Sequence, residues 1–268
     1  MPYVASADGT QIAYSVDGSG PAVILTTGSL DDGSENARLA TELSRWFRVV
    51  NYARRGRGES GDGREYSVAR EIEDIAALID AAGGGRAALY GVSTGGALAL
   101  ETAATLRSID AVAVYEVPYD LAPETPQQQR AYVAELDRRL SAGRRGDAVA
   151  LFMELAGSSA EEIAGARAHP VWPSLERIAH TLAYDAAVLG TRQAPLERFA
   201  RLHQPVLVAT GGGIPPFEGA ADALADANPR ARRKVLTGQG HVVDPAVMAA
   251  ELKAFFEEPR PATSSEPR

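Results

Sequence analysis

Gly91-Val92-Ser93-Thr94-Gly95-Gly96 is the stretch that decides the fold. An apolar run, Ala87-Ala88-Leu89-Tyr90, leads in, and a small-residue helical pattern from Ala97 to Ala104 leads out. Strand, tight turn with serine at its apex, then helix is the context that gives G-x-S-x-G chemical meaning. Glycines at 91 and 95 remove side chains that would strike the neighbouring strand and helix in so sharp a turn. The turn lifts the Ser93 hydroxyl over the sheet edge. It also aims a helix N-terminus, with its free N–H groups, at the same spot. The competing reading is that the glycines serve only close helix–strand packing. A histidine where a partner base is needed, His241, favours the chemical reading.

Outward from this motif, runs at 22–26, 110–115 and 205–210 have the character of buried strands, and 47–52 reads as a further strand. Short strands are expected at 3–6 and 11–16, hinged at Asp8-Gly9, and a last one at 233–236. Helical spacing falls at 36–46, 68–82, 220–227 and 245–256. In the second of these, Ile72, Ile75, Ala76 and Ile79 share a face and Gly83 provides a stop. Strand–helix alternation predicts a parallel, doubly wound sheet. From Pro118 to Gln204 strand-like runs cease, and helices are expected near 126–142, 145–156, 159–168 and 174–189. This block is too long for a crossover and reads as a cap over the C-terminal strand ends, where open α/β sheets bind ligands. The expected division is a core at 1–117 and 205–257, a helical cap at 118–204, and a disordered tail at 258–268 rich in Pro, Ser, Glu and Arg.

Bulk properties narrow the function classes. The chain has 268 residues, 45% of them hydrophobic, and a formal net charge of −8, so it offers no basic face for nucleic acid. It has no cysteine, which excludes disulfides and thiolate-held metals. Residues 1–8 carry no charged n-region or apolar h-region, and no apolar stretch approaches bilayer length. A cytoplasmic location follows by elimination, with a small-molecule substrate and neither nucleic acid nor membrane as partner. The oligomeric state is left open. No His/Asp/Glu cluster has metal-ligand spacing. Gly211-Gly212-Gly213 is not a phosphate loop, since no Lys-Ser/Thr follows and Pro215-Pro216 is expected to break any helix start. Neither metal nor cofactor is expected.

In the order of its motifs the chain resembles the α/β-hydrolase superfamily, specifically its capped members, over about residues 3–256. Thr27-Gly28-Ser29 stands where His-Gly-x usually follows the third strand. Arg55-Gly56-Arg57-Gly58-Glu59-Ser60 resembles the R-G-x-G-x-S loop after the fourth, Gly91-Val92-Ser93-Thr94-Gly95 the nucleophile elbow, and Gly238-Gln239-Gly240-His241 the loop of the catalytic histidine. The resemblance implies a mostly parallel eight-stranded sheet flanked by helices, with the cap inserted after the sixth strand. Three positions depart from it. Thr27 replaces the histidine, Ala53 replaces an aspartate before the Arg-Gly loop, and Ile214 occupies the usual place of the catalytic acid. Some members, including a subset of haloalkane dehalogenases, instead place a glutamate just after the sixth strand. Glu116 stands there, with Asp120 as second choice. The alternative for Glu116 is a solvated strand-end charge or a cap anchor.

The expected chemistry follows from these residues. A serine hydroxyl is a poor nucleophile near neutral pH and needs a base, for which His241 is the candidate. His169 and His180 fall in the cap, and His203 precedes a strand as a structural residue. A carboxylate on the far imidazole nitrogen, from Glu116, would fix the tautomer and stabilise the imidazolium. The backbone N–H groups of Ser29 and Thr94 would hold the oxyanion. Serine at 93 excludes the carboxylate-nucleophile chemistry of dehalogenases and epoxide hydrolases. Acyl transfer remains: ester, thioester, lactone, amide or activated C–C cleavage. The alternative is a non-hydrolytic enzyme of the same fold, performing cyclisation or elimination, or a ligand-binding protein using the same pocket. Arg54, Arg55 and Arg57 read as a solvated or ion-paired surface rather than an anion site. Trp172, Tyr184, Phe152 and Met153 fit either a pocket lining or cap–core packing.

Overall fold

In the computed structural model, which describes residues 1–258, eight strands follow in chain order. They are β1 (Tyr3–Ala5), β2 (Gln11–Asp17), β3 (Ala22–Thr26), β4 (Arg48–Tyr52), β5 (Ala87–Val92), β6 (Ile109–Tyr115), β7 (Val206–Thr210) and β8 (Ala231–Val235). They form one sheet in the order β1-β2-β4-β3-β5-β6-β7-β8. β1, β2 and β4 pair antiparallel, and every pair from β4 to β8 is parallel. The central strands are buried throughout, as their unbroken apolar runs require. β8 carries Arg232, Arg233 and Lys234 on an exposed edge, where charge blocks further strand pairing.

Because successive strand side chains point to opposite faces, the sheet feeds two cores. Ile24, Leu89, Val112 and Val208 face α2 (Val68–Ala82), α3 (Thr94–Thr105) and α10 (Pro215–Ala227). Leu25, Tyr90, Ala113 and Leu207 face α1 (Ala37–Leu43) and α11 (Pro245–Phe256). Ser67 caps the N-terminus of α2 by accepting the Arg70 N–H, and Gly83 ends it at φ 81°.

Between β6 and β7 lie α4 (Thr125–Ser141), α5 (Arg145–Leu155), α6 (Ala160–Ala168), α7 (Trp172–Ile178), α8 (Leu182–Leu189) and α9 (Leu196–Phe199). Tyr132, Leu136, Ala148 and Leu182 form a small apolar cluster in this insertion, and Phe152 packs against it. A second cluster gathers Val149, Trp172 and Ala179, with Met153 at its edge. Those positions therefore serve packing inside the insertion. No helix among the described residues is long and apolar enough to cross a membrane.

Two expectations need correction. The helix expected at 174–189 is split by a 3-10 turn at Ala179–Thr181, where the Thr181 hydroxyl donates to the Ile178 carbonyl and competes with the helical ladder. Pro215-Pro216 does not break a helix start: it begins α10, because the first turn has no N–H partners to lose. Of the expected tail, only Glu258 lies within the described residues, and it pairs with Arg232.

Candidate active site

Ser93 sits between β5 and α3 at φ 55°, ψ −129°, a conformation a non-glycine residue holds only when its surroundings enforce it. The enforcement is visible in the neighbours. The Ser93 N–H donates to the Tyr115 carbonyl at 2.9 Å, tying the turn to the end of β6. A Cβ on Gly91 would lie 2.3 Å from the Gly95 carbonyl oxygen, and one on Gly95 2.3 Å from that of Thr27. Both contacts are with backbone, so neither can yield cheaply. A Cβ on Gly28 would meet Ser93 Cβ at 3.1 Å, so the loop after β3 lies directly against the serine.

Glu116 follows β6 with φ 47°, a second left-handed non-glycine residue beside the first. Its N–H donates to the Ala209 carbonyl at 3.0 Å, which places it between the ends of β5 and β7. The carboxylate is buried and doubly held. Oε1 accepts the Gly211 N–H at 3.0 Å, and Oε2 lies 2.7 Å from His241 Nδ1. The imidazole is 43% exposed and its carboxylate partner 1%, so the ring is open to a ligand while the hydrogen bond behind it is dry. The Tyr115 hydroxyl donates to the Gly240 carbonyl at 2.7 Å and anchors the histidine loop. Gly211 has no room for a side chain, since a Cβ would lie 2.1 Å from the Gln239 carbonyl oxygen. The Phe217 ring of α10 packs beside His241 at 5.7 Å.

The other carboxylates weighed for the imidazole are engaged elsewhere. Asp120 accepts the Leu121 and Ala122 N–H groups and faces Arg192, and Asp244 caps α11. Ile214 is the N-cap of α10. Ser93 Oγ and His241 are not joined by a hydrogen bond among the described residues. Such contacts in ligand-free sites often close only on substrate binding.

Ser29 and Thr94 come together: their hydroxyls lie 3.2 Å apart. Among the described residues, the N–H of neither donates to another protein group. His180 pairs with Asp62 at 3.1 Å, His169 accepts the Val171 N–H, and His203 is exposed before β7. Tyr184 stacks on Tyr66 with ring centroids 3.9 Å apart.

The arginines are ion-paired, as one half of the expectation had it, but they are buried and not at the surface. Arg54, Arg55 and Arg57 are each 1% exposed. Arg54 forks onto Glu71 at 2.7 and 2.6 Å and reaches Asp185 of α8 at 2.8 Å. Arg55 forks onto Asp74 at 2.8 and 2.7 Å, and Arg57 reaches Asp185 at 2.7 Å. Burial works against the Asp185 and Glu71 carboxylates, yet the arginine charges outweigh it and hold both below the usual range. Glu71 and Asp74 interrupt the apolar stripe of α2, a signal in the sequence that this face meets cations. Asp31 and Glu35, on the loop after β3, were also missed. Burial pushes both carboxyls up, and the neighbouring Asp31 charge adds to the rise at Glu35.

A serine at an enforced strand-to-helix turn, beside a histidine loop backed by a buried glutamate at the C-terminal strand ends, defines an α/β-hydrolase architecture. Residues 27–254 match the alpha/beta hydrolase family, and the chain belongs to it. An alpha/beta hydrolase from Sphaerobacter thermophilus is 43% identical, covering 95% of this chain and all of that one with a TM-score of 0.85. The enol-lactonase of Burkholderia xenovorans shares the fold at 24% identity and a TM-score of 0.72, over 96% of this chain and 100% of that one. A curated relative, the hydrolase YraK of Bacillus subtilis, is 31% identical over 96 residues. That match spans 35% of each chain.

Proposed function

We propose that this protein is a serine hydrolase that cleaves an ester, thioester, lactone or related acyl bond of a small molecule through an acyl-enzyme. The observation that carries the reading is the buried 2.7 Å contact between Glu116 Oε2 and His241 Nδ1. A carboxylate there keeps the proton on Nδ1 and leaves Nε2 as the base. Ser93 Oγ attacks the acyl carbon while His241 Nε2 takes its proton. The resulting imidazolium is stabilised by Glu116 and returns the proton to the leaving group. The Ser29 and Thr94 N–H groups receive the oxyanion, each contributing about 3–4 kcal/mol to the transition state. Water, activated by the same histidine, then releases the acid. The helices of 118–204 act as a cap that shapes the acyl pocket, and Phe217 forms its wall beside the imidazole.

Fluorophosphonate labelling tests the reading. The wild-type protein should be labelled at Ser93 and should hydrolyse short-chain p-nitrophenyl esters, and Ser93→Ala should lose both while keeping its melting temperature. A protein that resists the probe would leave the non-hydrolytic alternative in place.

A further inference from the structure

The geometry points to Arg57 as a positioning residue for the Ser29 oxyanion donor, and to Asp185 as the group that makes this positioning depend on the seated cap. The inference rests on the acyl-transfer reading above. Arg57 Nη1 donates to the Gly28 carbonyl and lies 3.5 Å from that of Asp31. The Gly28 carbonyl and the Ser29 N–H belong to one peptide unit. No peptide bond in the described residues is cis, and in a planar trans unit the C=O and N–H point in opposite directions. Holding the oxygen on one side therefore aims the N–H to the other. The loop itself lies against Ser93, where a Cβ on Gly28 would meet the serine Cβ at 3.1 Å, so an N–H turned away from the arginine is available to the serine.

A free glycine peptide has little to fix its orientation, because glycine allows both hands of backbone conformation. The usual histidine before it is Thr27, whose buried hydroxyl finds no partner among the described residues. The orienting contact comes instead from a guanidinium across the loop. Arg57 falls at the variable position within Arg55-Gly56-Arg57-Gly58, so the device belongs to this chain and not to the motif.

The cap enters through Asp185. One oxygen, Oδ1, accepts from Arg57 Nη2 at 2.7 Å, Arg54 Nη1 at 2.8 Å and the Thr94 hydroxyl at 3.2 Å. A carboxylate can only accept, so Thr94 donates to Asp185 and Ser29 donates to Thr94. The chain of donors runs from both oxyanion residues into α8. Leu30, next to Ser29 and at φ 57°, packs on both apolar clusters of the insertion. The loop carrying the donor is therefore gripped from the core by Arg57 and from the cap by Leu30.

Steady-state kinetics of three variants test this. Arg57→Ala should lower kcat by about 10²-fold, the scale of one lost oxyanion donor, with KM nearly unchanged, and millimolar guanidinium should restore part of the rate. Arg57→Lys keeps the buried cation and hence the fold. It cannot present a planar fork to two acceptors, so it should melt close to wild type and still lose kcat. Arg55→Met removes an equally buried pair away from the loop and should lower the melting temperature while holding kcat. Wild-type kcat in Arg57→Lys, or a kcat loss in Arg55→Met as large as in Arg57→Ala, overturns the proposal. A crystal structure of Arg57→Ala separates the two readings. A wild-type protein that resists the fluorophosphonate removes the acyl-transfer reading. A 28–29 peptide that keeps its orientation without Arg57 removes the positioning role.

Discussion

Glu116 Oε2 lies 2.7 Å from His241 Nδ1 although the residues are 125 positions apart, and the carboxylate comes from the end of β6 while β7 ends without one. The acid thus approaches the imidazole from the strand beside the serine turn, and Gly211 at the end of β7 contributes only an N–H to hold it. Glu116→Gln preserves the shape but offers an amide that no longer enforces the Nδ1–H tautomer. The expected result is a fall in kcat of roughly 10⁴-fold, the scale seen for the equivalent change in a serine protease, with little change in melting temperature. A kcat within tenfold of wild type would remove Glu116 from the mechanism.

How much of this was legible follows from where the information sits. The serine turn could be read because its constraints are local: Gly91, Ser93 and Gly95 fall within five positions. Glu116 could be reached because β6 neighbours β5 in the sheet, so a strand end in the sequence is a strand end in the site. The arginine cluster could be read only in part, from Glu71 and Asp74 breaking the apolar stripe of α2. The cluster's partners, Glu71, Asp74 and Asp185, lie 17, 19 and up to 131 positions away, and Asp185 arrives on α8, a helix inserted between β6 and β7 whose docking no periodicity encodes. Pro215-Pro216 was misjudged for a different reason: a proline signals a break only when the turn before it is helical, and here it opens the helix.

Tyr115 links the sheet to the histidine loop through its 2.7 Å hydrogen bond to the Gly240 carbonyl. Tyr115→Phe removes that bond and leaves the ring in place. The expected cost is about 1 kcal/mol of stability. Ester turnover should drop by no more than about tenfold, since His241 keeps Glu116 but loses the anchor beside it. Urea unfolding and kcat measured together check this, and an unchanged value of both would show that the loop is held elsewhere.

The glycines separate space from conformation. Gly95→Ala would drive a Cβ to 2.3 Å from the Thr27 carbonyl oxygen, at the foot of the serine turn. Overpacking of this kind costs about 1–3 kcal/mol or more and should reduce turnover through the displaced Thr27-Gly28-Ser29 loop. Gly165 lies inside α6 with open space around its missing Cβ, so Gly165→Ala should stabilise by about 0.5–1 kcal/mol and leave turnover alone. Melting curves of the two variants should move in opposite directions.

The last prediction concerns acid. Asp185 is buried, and burial alone would raise its pKa, but Arg57 and Arg54 hold the folded-state value below the ordinary one. A carboxylate lowered on folding adds stability that is fully present above its unfolded pKa, about 3.9. That stability is lost as pH falls through the folded value. Asp185→Asn keeps the volume and removes the charge facing two buried guanidinium groups. It should cost about 3 kcal/mol or more near pH 7, as for other broken buried pairs. The gap to wild type should hold down to about pH 4 and narrow below it, because the unfolded wild-type chain then takes up a proton that the folded carboxylate still refuses. Urea midpoints from pH 7 to pH 3 give the difference directly. A gap that stays constant over that range would show that the arginines do not lower the Asp185 pKa in the folded protein.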